Sequence, residues 1–278
     1  MNIFSFPSIL AKDQVAHDRN AQQSLIQNLH CVTTDYYQYA MELLKEYKFF
    51  QLCTEQQQQM IAHHLKIQHY PAGHYIYTAN QNCQNIAIIL KGIIRTAWTS
   101  PEGKHHIYKF LPAGLLTNIV PTVTGQCFGH DHISHEPTVL ASIPANIFLD
   151  ILEKNTKVLY VIFQLICNRT HLHYSDSYYQ ATQPLAVRLA RELIYLVDFF
   201  SFQLDSDIKI KIKLSQENLA DLLNSSRKNI NKELSLLAQQ GIVKVRYHQI
   251  HILDLKRLRA LISETDMNDH SIKTGTQC

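Results

Sequence analysis

The sequence predicts an α+β chain: an amino-terminal β jelly roll, a long helix, and a carboxy-terminal pair of short helices backed by a β-hairpin. Three observations carry this. Short β-rich runs separated by glycine corners fill residues 66 to 143. An apolar helical pattern without proline follows, and LSQENLADLLNSSRKNINKELSLLAQQGIVKV then sets two brief amphipathic patterns on either side of Asn224-Ser225-Ser226.

The composition admits such a chain. With 278 residues, 46% of them hydrophobic, it can bury one or two ordinary cores and is neither fibrous nor disordered. Runs such as NIAIIL and VLYVIF are far shorter than the roughly 20 residues that span a bilayer. The opening MNIFSFPSILAKD has no basic region ahead of an apolar one, so a cytoplasmic location is expected. The six cysteines (31, 53, 83, 127, 167, 278) form no C-x-x-C pair, which argues against a zinc ribbon, a redox dithiol or an iron-sulfur ligand set. They are expected to be reduced thiols, mostly buried.

Charge is distributed unevenly. Residues 1–204 carry 14 Lys/Arg against 14 Asp/Glu, residues 205–262 carry 11 against 6, and residues 263–278 carry 1 against 3. A neutral large portion is thus joined to a basic small one, the arrangement of a phosphate-binding module attached to a regulatory domain.

Residues 1–35 are expected to be a loosely held extension with one helix near AQQSLIQNL. Residues 36–155 then pass from a helical pattern, LLKEYKFFQLCTEQQQQMIAHHL, to strand-like runs at IQHYPAG, HYIYT, NIAIIL, IIRTAWT, HHIYKFL and TVLASI. These are punctuated by Ala72-Gly73, Lys91-Gly92, Pro101-Glu102-Gly103 and Ala113-Gly114. Strands so short and regularly spaced suit a jelly roll. Residues 156–183 form the long helix, in which Val158, Ile162, Leu165, Leu172 and Tyr179 recur at heptad-like spacing and Arg169 and Asp176 interrupt the row. A two-chain coiled coil is the functional expectation, and packing of the helix on its own roll is the alternative.

Within residues 184–262, Ser215 can cap a helix starting at Gln216, with Leu214 and Leu219 placed for a hydrophobic staple. Ser226 can cap a second helix whose Ile230, Leu234 and Leu237 share one face, leaving Arg227, Lys228, Asn231, Lys232 and Ser235 away from it. Gly241 ends it. IVKV and IHIL flank Arg246-Tyr247-His248-Gln249 as a hairpin, and Asp254 caps LKRLRALI. Two short helices joined by a tight turn form a helix-turn-helix, whose second helix reads base edges in the major groove. Arg and Asn there suit guanine and adenine, while Lys suits a base or a phosphate. Residues 263–278 read as a flexible tail.

This stretch, continued through HQIHILDLKRLRAL, resembles the winged helix-turn-helix of the cyclic AMP receptor and fumarate-nitrate regulator (Crp/Fnr) superfamily, in which a Ser-Arg pair opens the recognition helix. The resemblance implies DNA contacts from Ser215, Gln216, Ser226, Arg227, Lys228, Asn231, Lys232, Lys244, Arg246 and His248, with Arg227 on a guanine. Lys228 departs from the Glu common at its position. The PAGHYIYTANQNCQNIAIILKGIIRTAW segment resembles the superfamily's sensor roll. In GLLTNIVPTVTGQCFGHDHISHEPTVLASI, however, Ile119 falls at the Glu that binds the ribose and Phe128-Gly129 at the Arg-Ser pair that binds the cyclic phosphate. A buried phosphate would lack its bidentate partner there, so the effector is expected to differ from cyclic AMP. The resemblance further implies a homodimer formed through the long helix, a palindromic double-stranded DNA operator and RNA polymerase as partner. No cofactor, membrane association or catalysis is expected.

Sixteen histidines raise one enzymatic alternative. Gly125, His130, His132 and Glu136 come close to the first metal motif of cupins, which would make a metal-dependent enzyme or metal sensor. The glycine spacing is one residue short, no glycine follows Glu136, and helices replace the second motif. Solvated loop histidines are the ordinary reading of His130 and His132; His63-His64, His105-His106 and His171/His173 are weaker signals still, the last two lying two apart on a predicted helix and so facing different ways.

Overall fold

The computed structural model describes residues 35–100, 105–204, 207–246 and 249–262; the expected helix near AQQSLIQNL and the tail 263–278 lie outside them. The chain divides into two compact units between His173 and Tyr174.

In the first unit Asp35 caps α1 (Tyr36–Glu46) by accepting from the amides of Tyr37 and Gln38. A short α2 (Lys48–Gln51) and α3 (Glu55–His64) follow, the latter opened by a capping box between Thr54 and Gln57. Eight strands come next: β1 (Lys66–Tyr70), β2 (Tyr75–Tyr77), β3 (Asn85–Lys91), β4 (Ile94–Thr99), β5 (His105–Leu111), β6 (Leu116–Thr117), β7 (Asp131–Ser134) and β8 (Thr138–Pro144). The helix α4 (Ile119–Thr124) stands between β6 and β7, and α5 (Ala145–Lys154) follows β8. The strands form two antiparallel four-stranded sheets, ordered β1-β8-β3-β6 and β2-β7-β4-β5. The jelly roll expected from six runs thus has two further strands, β6 and β7.

The run Ile86–Leu90 is apolar throughout because it is buried on both faces. Ile86, Ile88 and Leu90 join Val139, Ala141 and Ile143 of β8 beneath the helices, against Leu44, Phe49, Ile61 and Phe148. Ala87 and Ile89 turn the other way, into the roll with Ile76, Tyr77, Ile94, Phe128 and Leu140. Gly92 links β3 to β4 at φ +87°, and a Cβ there would lie 2.6 Å from the Pro137 carbonyl oxygen and 2.8 Å from the Thr138 Cα. Only glycine fits.

The long helix α6 (Thr156–Thr182) runs from the first unit into the second. Its row Val158, Ile162, Leu165, Leu172 and Tyr179 is buried within the single chain, each residue 9% exposed or less. Val158, Ile162 and Leu165 belong to the core beneath the helices. Of the row expected to form the seam with a second chain, these three residues spend their apolar surface on the chain's own core. The two polar interruptions have partners of their own. Arg169 donates to the Leu116 carbonyl at 2.7 Å, and Asp176 pairs with Arg191 at 2.9 Å.

In the second unit α7 (Leu185–Phe200) precedes β9 (Ser201–Leu204) and β10 (Asp207–Ile210). After them come α8 (Gln216–Leu222), α9 (Arg227–Gln239), β11 (Val243–Arg246), β12 (Gln249–Ile252) and α10 (255–262). The expected hairpin is therefore half of a four-stranded antiparallel sheet, ordered β11-β12-β10-β9. Arginines fasten the helices. Arg188 donates to the Leu223 carbonyl at the end of α8 and Arg257 to the Gln240 carbonyl at the end of α9, both orphan acceptors of helix termini. Arg191 lies 3.6 Å over the Tyr179 ring while holding Asp176. No helix among the described residues is long and apolar enough to cross a membrane.

Candidate nucleic-acid interface and effector roll

The two helices α8 and α9 form because both carry local start signals. Ser215 accepts from the Asn218 amide at 3.1 Å while the Asn218 side chain accepts from the Ser215 amide at 3.0 Å, a reciprocal capping box. Leu214 and Leu219 are both buried beside it. The turn passes through Asn224 at φ +44°, a left-handed conformation that Asn tolerates better than most residues. Ser226 then accepts from the Asn229 amide at 3.2 Å, and α9 ends before Gly241 at φ +71°.

Ile230, Leu234 and Leu237 of α9 are buried, 5% exposed at most. Their burial turns Arg227, Lys228, Asn231 and Lys232 outward, and all four are exposed. Gln216 ties the two helices together across this face. Its Nε2 donates to Asn231 Oδ1 at 2.8 Å, and its Oε1 accepts from Arg227 Nε at 3.5 Å. The neutral amide thus braces one guanidinium and one carboxamide, the two groups that read guanine and adenine bidentately. Sequence spacing gave no sign of this bridge, since 11 and 15 residues separate its partners. Lys244 and Arg246 stand exposed on β11, and His248 lies outside the described residues.

In the roll, Ile119 is 2% exposed at the start of α4 and belongs to the core beneath the helices. Phe128 is 4% exposed and stacks on Tyr77 with ring centres 4.7 Å apart, whereas Gly129 is exposed. Where the resemblance puts the phosphate-binding pair, the chain has a buried ring and a side-chain-free residue. The cation that interrupts the helix row in sequence lies close to the roll. Arg169 reaches in from α6 to the Leu116 carbonyl, and burial lowers its pKa to about 10, with the neighbouring Tyr47 acting in the opposite sense.

His130 and His132 face each other, Nε2 to Nε2 at 3.1 Å, so one neutral imidazole donates to the other. Burial, then the proximity of His130, pushes His132 down to about 3, and burial lowers His130 as well. Glu136 follows β7 and does not complete a ligand set: among the described residues no group of three or more His, Cys, Asp or Glu side chains could hold a metal ion. Nothing in the geometry favours the cupin-like alternative. Asp131 is engaged elsewhere, accepting from the Ala79 amide and the Thr99 hydroxyl. His173 meets the Tyr108 hydroxyl through Nδ1 at 2.5 Å.

Comparison with known proteins agrees with both units. Residues 67–155 match the model of the cyclic nucleotide-binding domain, and residues 187–261 match that of the Crp-like helix-turn-helix domain. The chain belongs to the Crp/Fnr superfamily of transcription regulators. It is 25% identical over 168 residues to the transcriptional regulator LdrP of Thermus thermophilus, covering 59% of this chain and 86% of LdrP. It is 22% identical over 201 residues to a CRP-like cAMP-activated global transcriptional regulator of Mycobacterium tuberculosis, covering 68% of this chain and 84% of the relative. Solved structures with the same fold include a CRP/FNR-family transcriptional regulator of Thermus thermophilus (TM-score 0.58, 21% identity, 71% of this chain and 98% of the other). FixK2 of Bradyrhizobium japonicum is another (TM-score 0.61, 16% identity, 71% and 96%). Both curated relatives are transcriptional regulators.

Proposed function

We propose that this Crp/Fnr regulator binds a palindromic operator in double-stranded DNA as a homodimer and answers to an effector other than cyclic AMP. The observation that carries the DNA reading is the outward face of α9, where Arg227 and Asn231 are braced by Gln216 over a buried Ile230-Leu234-Leu237 row. Arg227 and Asn231 meet base edges, Lys228 reads one base or a phosphate, and Lys232 takes a phosphate. Ser215, Gln216 and Ser226 approach the backbone at the helix starts, and Lys244, Arg246 and His248 do so from the wing. RNA polymerase is the expected protein partner. The working parts are residues 36–155 as sensor, 156–183 as dimer helix and 184–262 as DNA-binding domain.

Dimerisation uses the outer row of α6 rather than the buried one. Tyr160, Phe163, Cys167, Thr170 and Tyr174 recur at intervals of three and four, the a/d spacing of a coiled coil, and all are exposed. A two-fold dimer places its half-sites about one helical turn apart, roughly 34 to 36 Å. Selection from random duplex DNA tests the reading. Enrichment of a palindrome with that spacing is expected, and enrichment of nothing by a folded dimer would overturn it.

A further inference from the structure

Four rings gather at one end of the sheet β2-β7-β4-β5, in which β4 lies between β7 and β5. On β4, Thr96 stands opposite His132 of β7, and the same register carried two residues further sets His130 beside Trp98. On the other side the pairing of β4 with β5 slips, from Thr96 opposite Lys109 to Ala97 opposite Ile107. Tyr108 is therefore the extra residue of a β-bulge. A bulge re-aims a side chain, and here the Tyr108 ring centre comes 5.1 Å from that of Trp98. His130 completes the group, its ring centre 5.8 Å from Trp98 and 6.4 Å from Tyr108. His173 of α6 adds a ring 5.7 Å from Tyr108 and meets its hydroxyl at Nδ1, which fixes the orientation of the tyrosine.

The cluster is inclined, open and uncharged. Trp98, Tyr108 and His130 are tilted against one another by 56° to 62°, so none lies flat on the next. Trp98 and Tyr108 are 48% and 37% exposed, which leaves ring surface open to water. The three centres form a nearly equilateral triangle, and a cation about 3 Å above its plane would lie about 4.5 Å from each, within the ~6 Å reach of a cation–π contact. The local field agrees. Burial pushes His130 down, and burial and then His130 push His132 down to about 3, so both are uncharged at neutral pH; Asp131 opposes the shift at both, a negative field that a bound cation would share. A phosphate or carboxylate would find no charged partner in these rings.

We propose that Trp98, Tyr108 and His130 form an aromatic cage for a small organic cation, a quaternary ammonium whose charge is spread over methyl groups, and that this is the effector class of the chain. A methylated ammonium suits the cage because ring faces attract its charge and it has no N–H to satisfy. A bare ammonium or a guanidinium would leave donors without acceptors there. This rests on the reading that the effector differs from cyclic AMP, and it gives the ligand a charge opposite to that of a nucleotide phosphate.

Trp98 is the only tryptophan of the chain, so its fluorescence reports on the cage directly. The full chain is titrated with choline, with tetramethylammonium and with the uncharged tert-butyl isostere of choline. Both cations should shift the Trp98 emission saturably, and the isostere should bind at least about tenfold more weakly than choline because it lacks the charge. Tyr108→Phe keeps the ring and should bind choline within about threefold of the wild type, whereas Tyr108→Leu should lose about tenfold or more at an unchanged thermal midpoint. His130→Leu repeats the comparison should Tyr108→Leu not fold. No saturable shift with either cation at millimolar concentration, an equal affinity for the isostere, or undiminished binding by Tyr108→Leu overturns the cage. An emission that follows protein concentration and not ligand also overturns it, and gives the rings to a second copy of the chain. Operator affinity with and without choline separates the two readings. Choline bound without a change in operator affinity supports the cage and overturns its role as the effector site, while saturable binding of cyclic AMP overturns the reading on which that role rests.

Discussion

Two apolar rows run along α6, and opposite perturbations of them distinguish core from interface. Phe163 is 59% exposed. A phenylalanine offers 150 to 250 Å² for burial, so about 120 Å² per protomer is open to a second helix. At ~25 cal/mol/Å² that is about 3 kcal/mol per protomer as an upper estimate, or about 6 kcal/mol for the pair. Because association recovers only part of such area, Phe163→Ser should weaken the dimer by between about 100-fold and 10⁴-fold. The fold of each protomer should change by no more than about 0.5 kcal/mol. Ile162, one residue earlier, is 1% exposed and sits in the core. Ile162→Ala should cost about 2 to 5 kcal/mol of fold stability, with cavity formation included. Sedimentation equilibrium reads the first effect and urea unfolding of each variant reads the second. If the Phe163 variant remains dimeric at all concentrations while Ile162→Ala gives a well-folded monomer, the inner row is the seam and the assignment by burial is wrong.

Other expectations follow from single sites. Gly92→Ala should destabilise by more than about 3 kcal/mol, since it adds a backbone clash to the ~1 to 2 kcal/mol of left-handed strain; Gly73→Ala, with φ +80° and open space, should show the strain alone. Titration calorimetry with cyclic AMP should give no saturable heat, because Ile119 and Phe128-Gly129 supply no charge; micromolar binding would refute this. Arg227→Ala should cost about 1 to 3 kcal/mol and relax one operator position per half-site, whereas Lys232→Ala should weaken all sequences alike and lower the salt slope by about 0.9. Lys228→Glu should shift the selected half-site toward that of the cyclic AMP receptor, because Glu accepts from cytosine and Lys can only donate; an unchanged selection would remove Lys228 from the base-reading set.

Where sequence signals are local, they located structure well. The caps at Ser215, Ser226 and Asp254 each make the expected hydrogen bond, because a cap needs only a short oxygen-bearing side chain and the amide two or three residues on. The strand β3 announced itself as an unbroken apolar run because both of its faces are buried. The strand β7 did not, since its buried residues are Asp131, His132, Ile133 and Ser134. Two of them find partners far along the chain: Asp131 accepts from Ala79 and Thr99, and Ser134 donates to Pro71. Burial of that kind leaves no hydrophobic pattern to read. The strand β10 and its sheet were not read, because its pairing with β12 depends on a contact more than 40 residues away.

The helix row shows a different limit. Val158, Ile162 and Leu165 and the outer Tyr160, Phe163 and Cys167 both recur at helical spacing, so periodicity establishes that α6 has two apolar stripes and says nothing of which one meets its own core. That choice belongs to the folded unit. Once α1 and α5 bring Leu44, Phe148 and Ile151 against one stripe, the other is left to water or to a partner. Arg169 follows the same logic. In the sequence it looks like a break in a seam, yet it lies on α6 where the Leu116 carbonyl comes within 2.7 Å, and the charge that seemed to weaken an interface instead ties the helix to the roll. A charged residue in an apolar helix row is therefore informative only with its partner, and here the partner lies 53 residues away.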